Sequence, residues 1–478
     1  MGMIGFTMTK TQSTGSNPVH QTVASSIKFK SAGQSIEIEF TEQQLSPHAG
    51  TATFWAFLHQ SGWIDLVEKC LPHPAPTSNN ALSPLSKVLG FVQGLLCGAK
   101  KLTHVAYLRR DPLVPQMLGI KRVASQSVLS RFFQGFRSAG RNLACFRPQF
   151  RWCLGRLPSR AEGYALDLDS TRLLHEDGHQ EGVEVGYTRL GTKPCLHPLL
   201  AVLSEVRLVA NFWLRPGNSS CANNVVSFFL DLWNHLPSHL RLRIVRADSG
   251  FCTSQLLRLW EQLRLKFIVV ARLTRPLQRL IRKHTCWEAT QVEGTEVAEV
   301  DYHEGDWPAG TRLILIRHRI TDKQGRAGGK MLFDCPGYLY QALLTNLPRT
   351  VKPLAVWREY NGRAACEAVI KELDAGYGLP QLACQQFWPT EAALGFGVLA
   401  HNLVVLFERK LGWLEAVTIG SLRYWLFVTA GIISSPQGQT TIKLAVPDKE
   451  RAWWRRLWDK LLSPVPNCNA VENRPSLP

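Results

Sequence analysis

The sequence lacks closely paired cysteines and long uninterrupted apolar runs. Its 12 cysteines include no Cys-x-x-Cys pair, which argues against a zinc knuckle and a small disulfide scaffold, so we expect reduced, mostly buried thiols. The longest apolar stretch, residues 393–407, is interrupted by His401 and Asn402 and is shorter than the roughly 18 to 20 residues that span a bilayer. No basic segment followed by an apolar run stands near Met1, so no secretory signal is predicted and a cytoplasmic location is expected.

Acidic residues are scarce relative to basic ones. The chain has 37 Asp and Glu residues against 55 Lys and Arg residues, which gives a formal net charge of +18. Each cation that neutralises a phosphate releases a condensed counterion, so this excess favours a nucleic acid as partner. Charge alone leaves DNA, RNA and a merely basic surface open. The 478 residues, 45% of them hydrophobic, exceed the usual size of one core and predict two or more folded units.

Changes of composition and periodicity divide the chain into six predicted segments. Residues 1–35 are rich in Ser, Thr, Gln and Gly without periodicity, as expected of a disordered terminus, and a strand-like alternation follows at residues 35–40. The other segments are a helical DNA-binding domain at 36–160, the two parts of an α/β core at 161–275 and 351–410, a β-rich insertion between them at 276–350, and a C-terminal helical and dimerisation region at 411–478.

The predicted helical domain carries basic residues that have two interpretations. Arg109 and Arg110 belong to a basic cluster, and Ser125 is a suitable N-cap for a helix that presents Arg131. Since an α-helix can enter the major groove and contact base edges, these three arginines are candidate DNA-binding residues. A solvated basic face explains the same pattern equally well.

Two acidic residues follow predicted strands, and a third lies on a predicted helix. Asp169 ends the strand-like segment YALDLD, Asp248 follows the strand LRIVRA, and Glu367 lies on a helix that begins near Tyr360. Because α/β sheets present functional groups at their strand ends, these three acids are candidate catalytic residues. Asp167 lies two residues before Asp169 and faces the same side of the strand, so periodicity does not choose between them.

The helical repeat favours Glu367 over its neighbour Glu372. Counted from Tyr360 at about 100° per residue, Arg363 lies at about 300°. Glu367 and Lys371 follow on the same face, at about 340° and 20°, whereas Glu372 points away at about 120°. One alternative remains open, in which Glu367 only forms helical ion pairs with Arg363 or Lys371.

The three acids are of the type that binds hard metal ions. Carboxylate oxygens are the ligands that Mg²⁺ prefers, with water and substrate phosphate completing the shell. Asp169, Asp248 and Glu367 therefore predict a site for two Mg²⁺ ions, with Mn²⁺ as an alternative, about 3.5 to 4 Å apart. Such a pair of ions suits in-line phosphoryl transfer without a covalent enzyme intermediate.

Longer motifs around these acids resemble the DDE transposases of bacterial insertion sequences, in the group with the signature Tyr-x-x-Arg-x-x-x-Glu-x-x-x-x-x-x-Lys. The similarity includes LRRDPLVPQMLGIKRVASQSVLSRFF in the helical region, LDLDST, GHQEG, RADSGF and YNGRAACEAVIKEL, and extends over residues 40–462. It implies a ribonuclease-H-like catalytic core, preceded by the helical domain and interrupted by a β-rich insertion between the second and third acids. It also implies cut-and-paste DNA transposition.

The resemblance further implies roles for individual residues. Asp169, Asp248 and Glu367 would be the catalytic metal ligands, while Tyr360 and Arg363 would contact DNA phosphates near the cleavage site. The expected reaction is metal-dependent cleavage at insertion-sequence ends and strand transfer into target DNA. The expected partners are double-stranded DNA and a second copy of the chain in a homodimer, in the bacterial cytoplasm at the nucleoid.

One position departs from the family signature. The signature's Lys falls at Asp374, where an acid would repel the DNA backbone. We hypothesise that Lys371, one helical turn earlier, contacts that phosphate instead, since its flexible stem can reach the same place. The departure keeps open a catalytically weakened DNA-binding relic. A ribonuclease-H-like nuclease that cuts without joining is the other alternative.

Other conspicuous residues have ordinary explanations. His175 and His179 lack the cysteine or glutamate pattern of a zinc site. Trp287 and Trp307, in the predicted insertion, are more typical of packing than of stacking on a displaced base. The aromatic residues within 453–458 occur at near-helical spacing and predict a packing or dimer face.

Overall fold

The computed structural model describes residues 26–188, 191–320, 330–332, 335–413, 415, 417–434 and 440–464. The chain consists of two compact units, Met1–Gln44 and Leu45–Pro478, and residues contact one another mainly within their own unit. In the first unit, β1 (Ser26–Ser31) and β2 (Gln34–Glu39) form an antiparallel hairpin.

The hairpin confirms one prediction and corrects another. The strand predicted at residues 35–40 is β2, but β1 lies within residues 1–35, which were predicted to be disordered. Ala32 and Gly33 both have positive φ, 48° and 80°, as a two-residue type I′ turn requires. The segment before them therefore pairs with β2, which its polar composition does not indicate. Residues 1–25 lie outside the described residues.

The second unit is built around β-sheets. Among the described residues, its strands are β3 (Leu45–Ser46), β4 (Tyr164–Ser170), β5 (Leu173–Leu174), β6 (Glu184–Thr188), β7 (Gly191–Leu196), β8 (Leu199–Leu203), β9 (Leu208–Trp213), β10 (Leu242–Ala247), β11 (Phe267–Val270), β12 (Glu288–Ala289), β13 (Thr295–Val300), β14 (Arg312–Arg319), β15 (Lys330–Leu332), β16 (Cys335–Thr345), β17 (Gly431–Ser434) and β18 (Thr441–Leu444). The large sheet has the order β12-β13-β14-β16-β11-β10-β4-β8-β9, with β15 paired to β16. The orders β5-β7-β6 and β18-β17-β3 form two small sheets.

Helices precede, connect and follow the strands of the large sheet. In the described part of the chain they are α1 (Ala52–Ser61), α2 (Trp63–Cys70), α3 (Pro84–Leu96), α4 (Leu102–Tyr107), α5 (Leu113–Met117), α6 (Gln126–Phe133), α7 (Ala139–Gly155), α8 (Val225–His235), α9 (Ser254–Gln262), α10 (Arg275–Lys283), α11 (Pro353–Asn361), α12 (Ala364–Ala375), α13 (Phe387–Lys410), α14 (Ile419–Leu422) and α15 (Asp448–Leu462). A π-helical turn, Arg423–Phe427, continues α14.

The centre of the large sheet is the predicted mixed α/β core. β4, β10 and β11 run parallel, while β8 and β9 continue the sheet antiparallel on the other side of β4. Almost every residue of β4 and β10 is buried, including the charged Asp167 and Arg246. Because β4 and β10 are parallel neighbours, the residues that end them lie at one edge of the sheet.

The β-rich insertion predicted at residues 276–350 extends this sheet. β16, 11 residues long, pairs with β11 on one side and with β14 on the other, so β14, β13 and β12 continue the ladder. The segment contains β structure as predicted, but helix α10 begins it. Trp287 packs its ring 4.3 Å from the Arg317 guanidinium, and Trp307 packs edge-on to Tyr302, in agreement with a packing role.

The helices between residues 52 and 155 do not form a domain of their own. Phe133, Phe136 and Phe146 pack on Phe396 of α13 with ring centroids 5.0 to 6.4 Å apart. One hydrophobic core includes these helices, the large sheet and α15. The separate helical domain predicted at 36–160 is therefore corrected to a helical segment of the second unit. The physical reason is that short amphipathic helices bury their apolar faces only against a neighbour, which here is α13.

Helix α13 is, among the described residues, the one helix long and apolar enough to cross a membrane, but its apolar window is entirely buried inside the protein. Two of its polar residues contact β9 or the residue before it. His401 Nε2 donates to the carbonyl of Arg207 at 2.9 Å. Asn402 accepts the N–H of Val209 at 2.8 Å and donates to its carbonyl at 2.7 Å. Because β9 is an edge strand, this amide satisfies backbone groups that have no neighbouring strand.

The C-terminal region predicted to be helical at 411–478 also contains strands, since β17 pairs with both β18 and β3. On α15, Trp454 and Leu457 are buried within the chain. Trp453 packs on Trp425 with ring centroids 5.7 Å apart. This aromatic face is therefore used for packing within one chain. Residues 465–478 lie outside the described residues.

Replacing Asn402 by Leu should strongly destabilise the protein. The side-chain volume is kept, but both backbone groups of Val209 lose their partner, at about 1 to 3 kcal/mol for each unsatisfied group. We expect the free energy of unfolding, measured by urea denaturation, to fall by about 2 to 6 kcal/mol. Asn361→Leu, at the exposed end of α11, should change it by less than about 0.5 kcal/mol. Equal losses in the two variants would contradict the role of Asn402.

Candidate active site

Strands β4 and β10 bring two of the predicted acids to one edge of the sheet. Their parallel ladder ends with Ala247 opposite Leu168, so the next residues, Asp248 and Asp169, leave it side by side. The Asp248 carboxylate accepts the backbone N–H of Gly250 at 2.9 Å, which fixes the turn that follows β10. The strand-end positions predicted for both acids are confirmed.

Burial and pairing distinguish Asp167 from Asp169. Asp167 is fully buried, and its carboxylate accepts two bonds from the Arg246 guanidinium at 2.7 and 3.0 Å. It also accepts the hydroxyl of Ser204. Asp167 therefore compensates the charge of the buried Arg246, which is a structural role, whereas one oxygen of Asp169 accepts the backbone N–H of Ser170 at 2.8 Å. Asp169 is 8% exposed and pairs with Arg363 at 2.7 Å.

The Arg246 guanidinium also holds a helix junction onto the sheet. Its Nη1 donates to the backbone carbonyl of Glu359 at 2.6 Å, near the end of α11. A Cβ at Gly362 would lie 2.4 Å from this Nη1, so a larger residue there would displace the guanidinium. The junction between α11 and α12 is thereby fixed over β10.

The continuous helix predicted from Tyr360 is wrong. Tyr360 lies at the end of α11, Gly362 follows, and Arg363 is the N-cap residue of the separate helix α12. Glycine is a poor helix former, and the Arg246 guanidinium donates to the carbonyl of Glu359 near the end of α11, so the helix breaks here. The predicted angular relation holds within α12, for Glu367 and Lys371.

Tyr360, which was predicted to contact DNA, lies beside the acids and is only 9% exposed. Burial raises the pKa of Tyr360 to about 12, the Arg363 guanidinium opposes this, and the charges of Asp248 and Asp169 add to it. The phenol therefore stays neutral at pH 7 and keeps its proton for donation.

Electrostatics bring the third acid, Glu367, into the same cluster. Burial raises the pKa of Asp169 to about 6, the Arg363 guanidinium opposes this, and the charges of Asp248 and Glu367 raise it further. Since such effects act mainly over short distances, the three acids selected from the sequence lie near one another. Glu367 is the accessible member, with 49% of its side chain exposed on the first turn of α12.

Arg363 lies among these acids. Its Nη2 pairs with Asp169 at 2.7 Å and its Nη1 with Glu367 at 3.8 Å, while its Nε is buried without a hydrogen-bond partner. In the described part of the chain, no group of three or more His, Cys, Asp or Glu side chains is arranged to hold a metal ion. One guanidinium nevertheless faces three carboxylates, so the charge and the hard oxygen donors fit a divalent cation.

The other acids of α12 have different surroundings. Glu372, the poorer candidate, is half-buried and accepts the Arg207 guanidinium and a backbone N–H. Lys371 and Asp374 are both exposed. Because helical neighbours three and four residues apart share a face, both lie on the exposed face that carries Glu367.

The basic residues selected in the helical segment are all exposed. Arg109 and Arg110 lie in the turn after α4, and Arg131 lies on α6. The predicted cap of α6 is confirmed, since Ser125 Oγ accepts the N–H of Val128 at 3.4 Å. These arginines belong to the helical segment, and the acids belong to the sheet edge and α12.

Arg246 is a positioning residue that the sequence interpretation missed. It belongs to the same RADSGF motif as Asp248 and lies two positions earlier, on the same side of β10. That spacing was the available signal, because a buried arginine in an apolar strand requires a partner of opposite charge.

Neutralising Asp167 and Asp169 in turn should separate their roles. Asp167→Asn removes the charge that compensates the buried Arg246, so the free energy of unfolding should fall by about 3 to 5 kcal/mol. Burial has raised the pKa of Asp169, so ionised Asp169 costs stability at pH 7, and in Asp169→Asn the Arg363 guanidinium keeps Glu367 as a partner, so the loss should stay below about 1 kcal/mol. Urea denaturation followed by tryptophan fluorescence measures both, and equal losses would refute the structural assignment of Asp167.

Among curated proteins, none matches the sequence. A cryo-EM structure of the piggyBac transposase synaptic complex with hairpin DNA is similar, at 12% sequence identity and a TM-score of 0.43, over 80% of this chain and 81% of that chain. The sequence profile of the family described as transposase DDE domain group 1 matches residues 29–463. The resemblance to DDE transposases is thus confirmed, and the chain belongs to the DDE transposase family, group 1.

Proposed function

We propose that this DDE transposase cleaves DNA at the ends of its own insertion sequence and joins the exposed 3′-hydroxyls to target DNA in a metal-dependent reaction. The observation that carries the proposal is geometric: Asp169 and Asp248 leave neighbouring parallel strands, and Glu367 shares the Arg363 guanidinium with Asp169. The five central strands have the sheet order third, second, first, fourth, fifth, with the second strand antiparallel to the first. That order supports a ribonuclease-H-like core.

The three acids would hold two Mg²⁺ ions, with Mn²⁺ as an alternative. When bound, such ions stabilise the attacking and leaving oxygens of an in-line phosphoryl transfer. Arg363 now occupies one oxygen of Asp169. We infer that its guanidinium moves to a DNA phosphate, with which it forms strong charge-assisted hydrogen bonds, and thereby releases the carboxylate. Tyr360 would donate its hydroxyl to a neighbouring phosphate.

Double-stranded DNA is the proposed partner, both as element ends and as target. The net charge of +18 favours a polyanion, and the exposed Arg109, Arg110 and Arg131 would contact the element ends. Two ends must be held together for joining, so the active form is proposed to be a homodimer. Its place would be the bacterial cytoplasm, at the nucleoid and away from membranes.

A strand-transfer assay tests the proposed function. Labelled duplexes taken from the inverted repeats that flank the coding sequence are incubated with the full chain, target plasmid and Mg²⁺. A transposase cleaves the duplexes and joins them to the plasmid. Cleavage without joining would identify a nuclease, and binding without cleavage would identify a DNA-binding relic, which Asp374 in place of the family's lysine favours as the second candidate.

Changing Asp169, Asp248 or Glu367 to Ala should abolish cleavage in Mg²⁺ and leave binding of the end duplex largely intact, because binding depends on basic contacts. A double change should cost little more than a single one, since the three residues act as a unit. Glu68→Ala, an exposed acid on α2, serves as the control and should cleave like the wild type. Substantial cleavage by any of the three variants would remove that residue from the site.

Lys371 and Asp374 allow a test of charge on the exposed face of α12. If Lys371 contacts the phosphate, Lys371→Ala should lower the cleavage rate about tenfold or more, as expected for a charged hydrogen bond of roughly 1.5 to 3 kcal/mol. Asp374→Ala should be neutral or mildly beneficial, and Asp374→Lys should raise cleavage or tighten end binding. An unchanged cleavage rate in Lys371→Ala, or a strongly reduced rate in Asp374→Lys, would contradict the proposed phosphate contact of Lys371, because a surface ion pair alone has little effect.

A further inference from the structure

A cleft of about 410 Å³ lies in the helical segment, between α3, α6 and the loops that precede them. Four cationic side chains line it, namely Lys87, Arg109, Arg122 and Arg131, and none of its lining residues is acidic. Its volume falls in the range of roughly 300 to 1,000 Å³ that is typical of small-ligand sites. Two of these cations, Lys87 and Arg122, were not among the DNA-binding residues selected from the sequence.

The cations gather without an opposite charge in the cleft. Lys87 is half-buried, and its pKa is lowered first by burial and then by the nearby Arg131 guanidinium. Like charges held together cost free energy, which an anion placed between them offsets. Ser125, the N-cap of α6, also lines the cleft, so the partial positive charge of that helix end adds to the cations.

Part of the cleft wall is apolar, beside the polar Asn80, Ser125 and His73. Leu82, Val123 and Phe132 are buried there, and Val128 of α6 is half-buried beside them. The His73 ring stacks on Phe132 at 4.4 Å between centroids and donates from Nε2 to its carbonyl at 2.8 Å, which holds this wall in place. A phosphate of a fully paired duplex needs cations only. An apolar wall beside the cations suits a ligand that carries a phosphate and a base together.

We propose that this cleft binds one nucleotide displaced from the DNA duplex, with its phosphate among Lys87, Arg122 and Arg131 and its base against Leu82 and Val128. Unstacking a nucleotide costs a few kcal/mol, and burying its base against side chains offsets that cost. The inference rests on the proposed function only in taking DNA as the partner. It assigns the cleft a role in binding and none in cleavage.

Fluorescence anisotropy without divalent metal tests this proposal. The full chain is titrated into two labelled random-sequence duplexes, one fully paired and one with a single unpaired nucleotide at its centre. We expect about tenfold tighter binding of the bulged duplex, because an unpaired base is buried against the apolar wall without the cost of breaking a base pair. Val128→Trp fills the cleft without changing charge and should remove this preference while leaving affinity for the paired duplex unchanged. Lys87→Met should also weaken the preference.

Lys121→Met is the matched control, since Lys121 is exposed and its Nζ donates to the carbonyl of Asn79. This variant should keep the full preference. Absence of the preference in the wild type, or its full retention in a Val128→Trp protein with wild-type melting behaviour, overturns the proposal. If Val128→Trp does not fold, full retention in Lys87→Met overturns it instead.

Inorganic phosphate distinguishes a site for a free anion from a nucleotide site. Phosphate that stabilises the wild type but not Lys87→Met, in a chain without preference for the bulge, would assign the cleft to a free anion and overturn the proposal. The anisotropy experiment does not measure cleavage. A chain that binds the bulged duplex preferentially but never cuts DNA would therefore contradict the proposed function and leave the cleft proposal intact.

Discussion

The site depends on the contacts of one buried guanidinium. Arg246 is only 3% exposed and joins Asp167 on β4, the hydroxyl of Ser204 and the backbone carbonyl of Glu359 on α11. Taking such charges out of water costs several kcal/mol for each ion, and apolar residues of similar volume are often as stabilising. The main contribution of the Arg246 guanidinium is to fix the positions of the elements that it joins. Asp169 lies on β4, Asp248 follows β10, and the junction leads into α12, which carries Glu367, so this contact sets the three acids relative to one another.

The acids that are brought together in this way repel one another. Burial and the charges of Asp248 and Glu367 raise the pKa of Asp169, and Arg363 is the cation that opposes the rise. A cluster with more carboxylates than guanidinium groups attracts further cations. The helical segment has the opposite excess, with cations gathered around its cleft. The described part of the chain therefore separates a cleft lined by cations from a cluster rich in carboxylates.

Helix α13 connects these two regions. It buries its apolar surface against the phenylalanines of the helical segment on one side and satisfies the edge strand β9 through Asn402 on the other. Because one core is shared, a displacement in the helical segment acts on the sheet through packed side chains. The predicted insertion is also joined to the core, since its strands continue the same sheet.

The sequence by itself determined the local features: the strands that end at Asp169 and Asp248, the basic helix with its cap, and the family. These local features depend on periodicity and on short motifs, which can be recognised directly in the order of the residues along the chain. Periodicity left Asp167 and Asp169 equivalent and the family resemblance favoured Asp169, but only the tertiary structure showed the different partners of the two acids, because just Asp167 meets Arg246. It also decided the helix break after Tyr360 and the shared core. Apolar periodicity indicates that one face of a helix or strand is buried, but the element that packs against this face comes from a distant part of the chain.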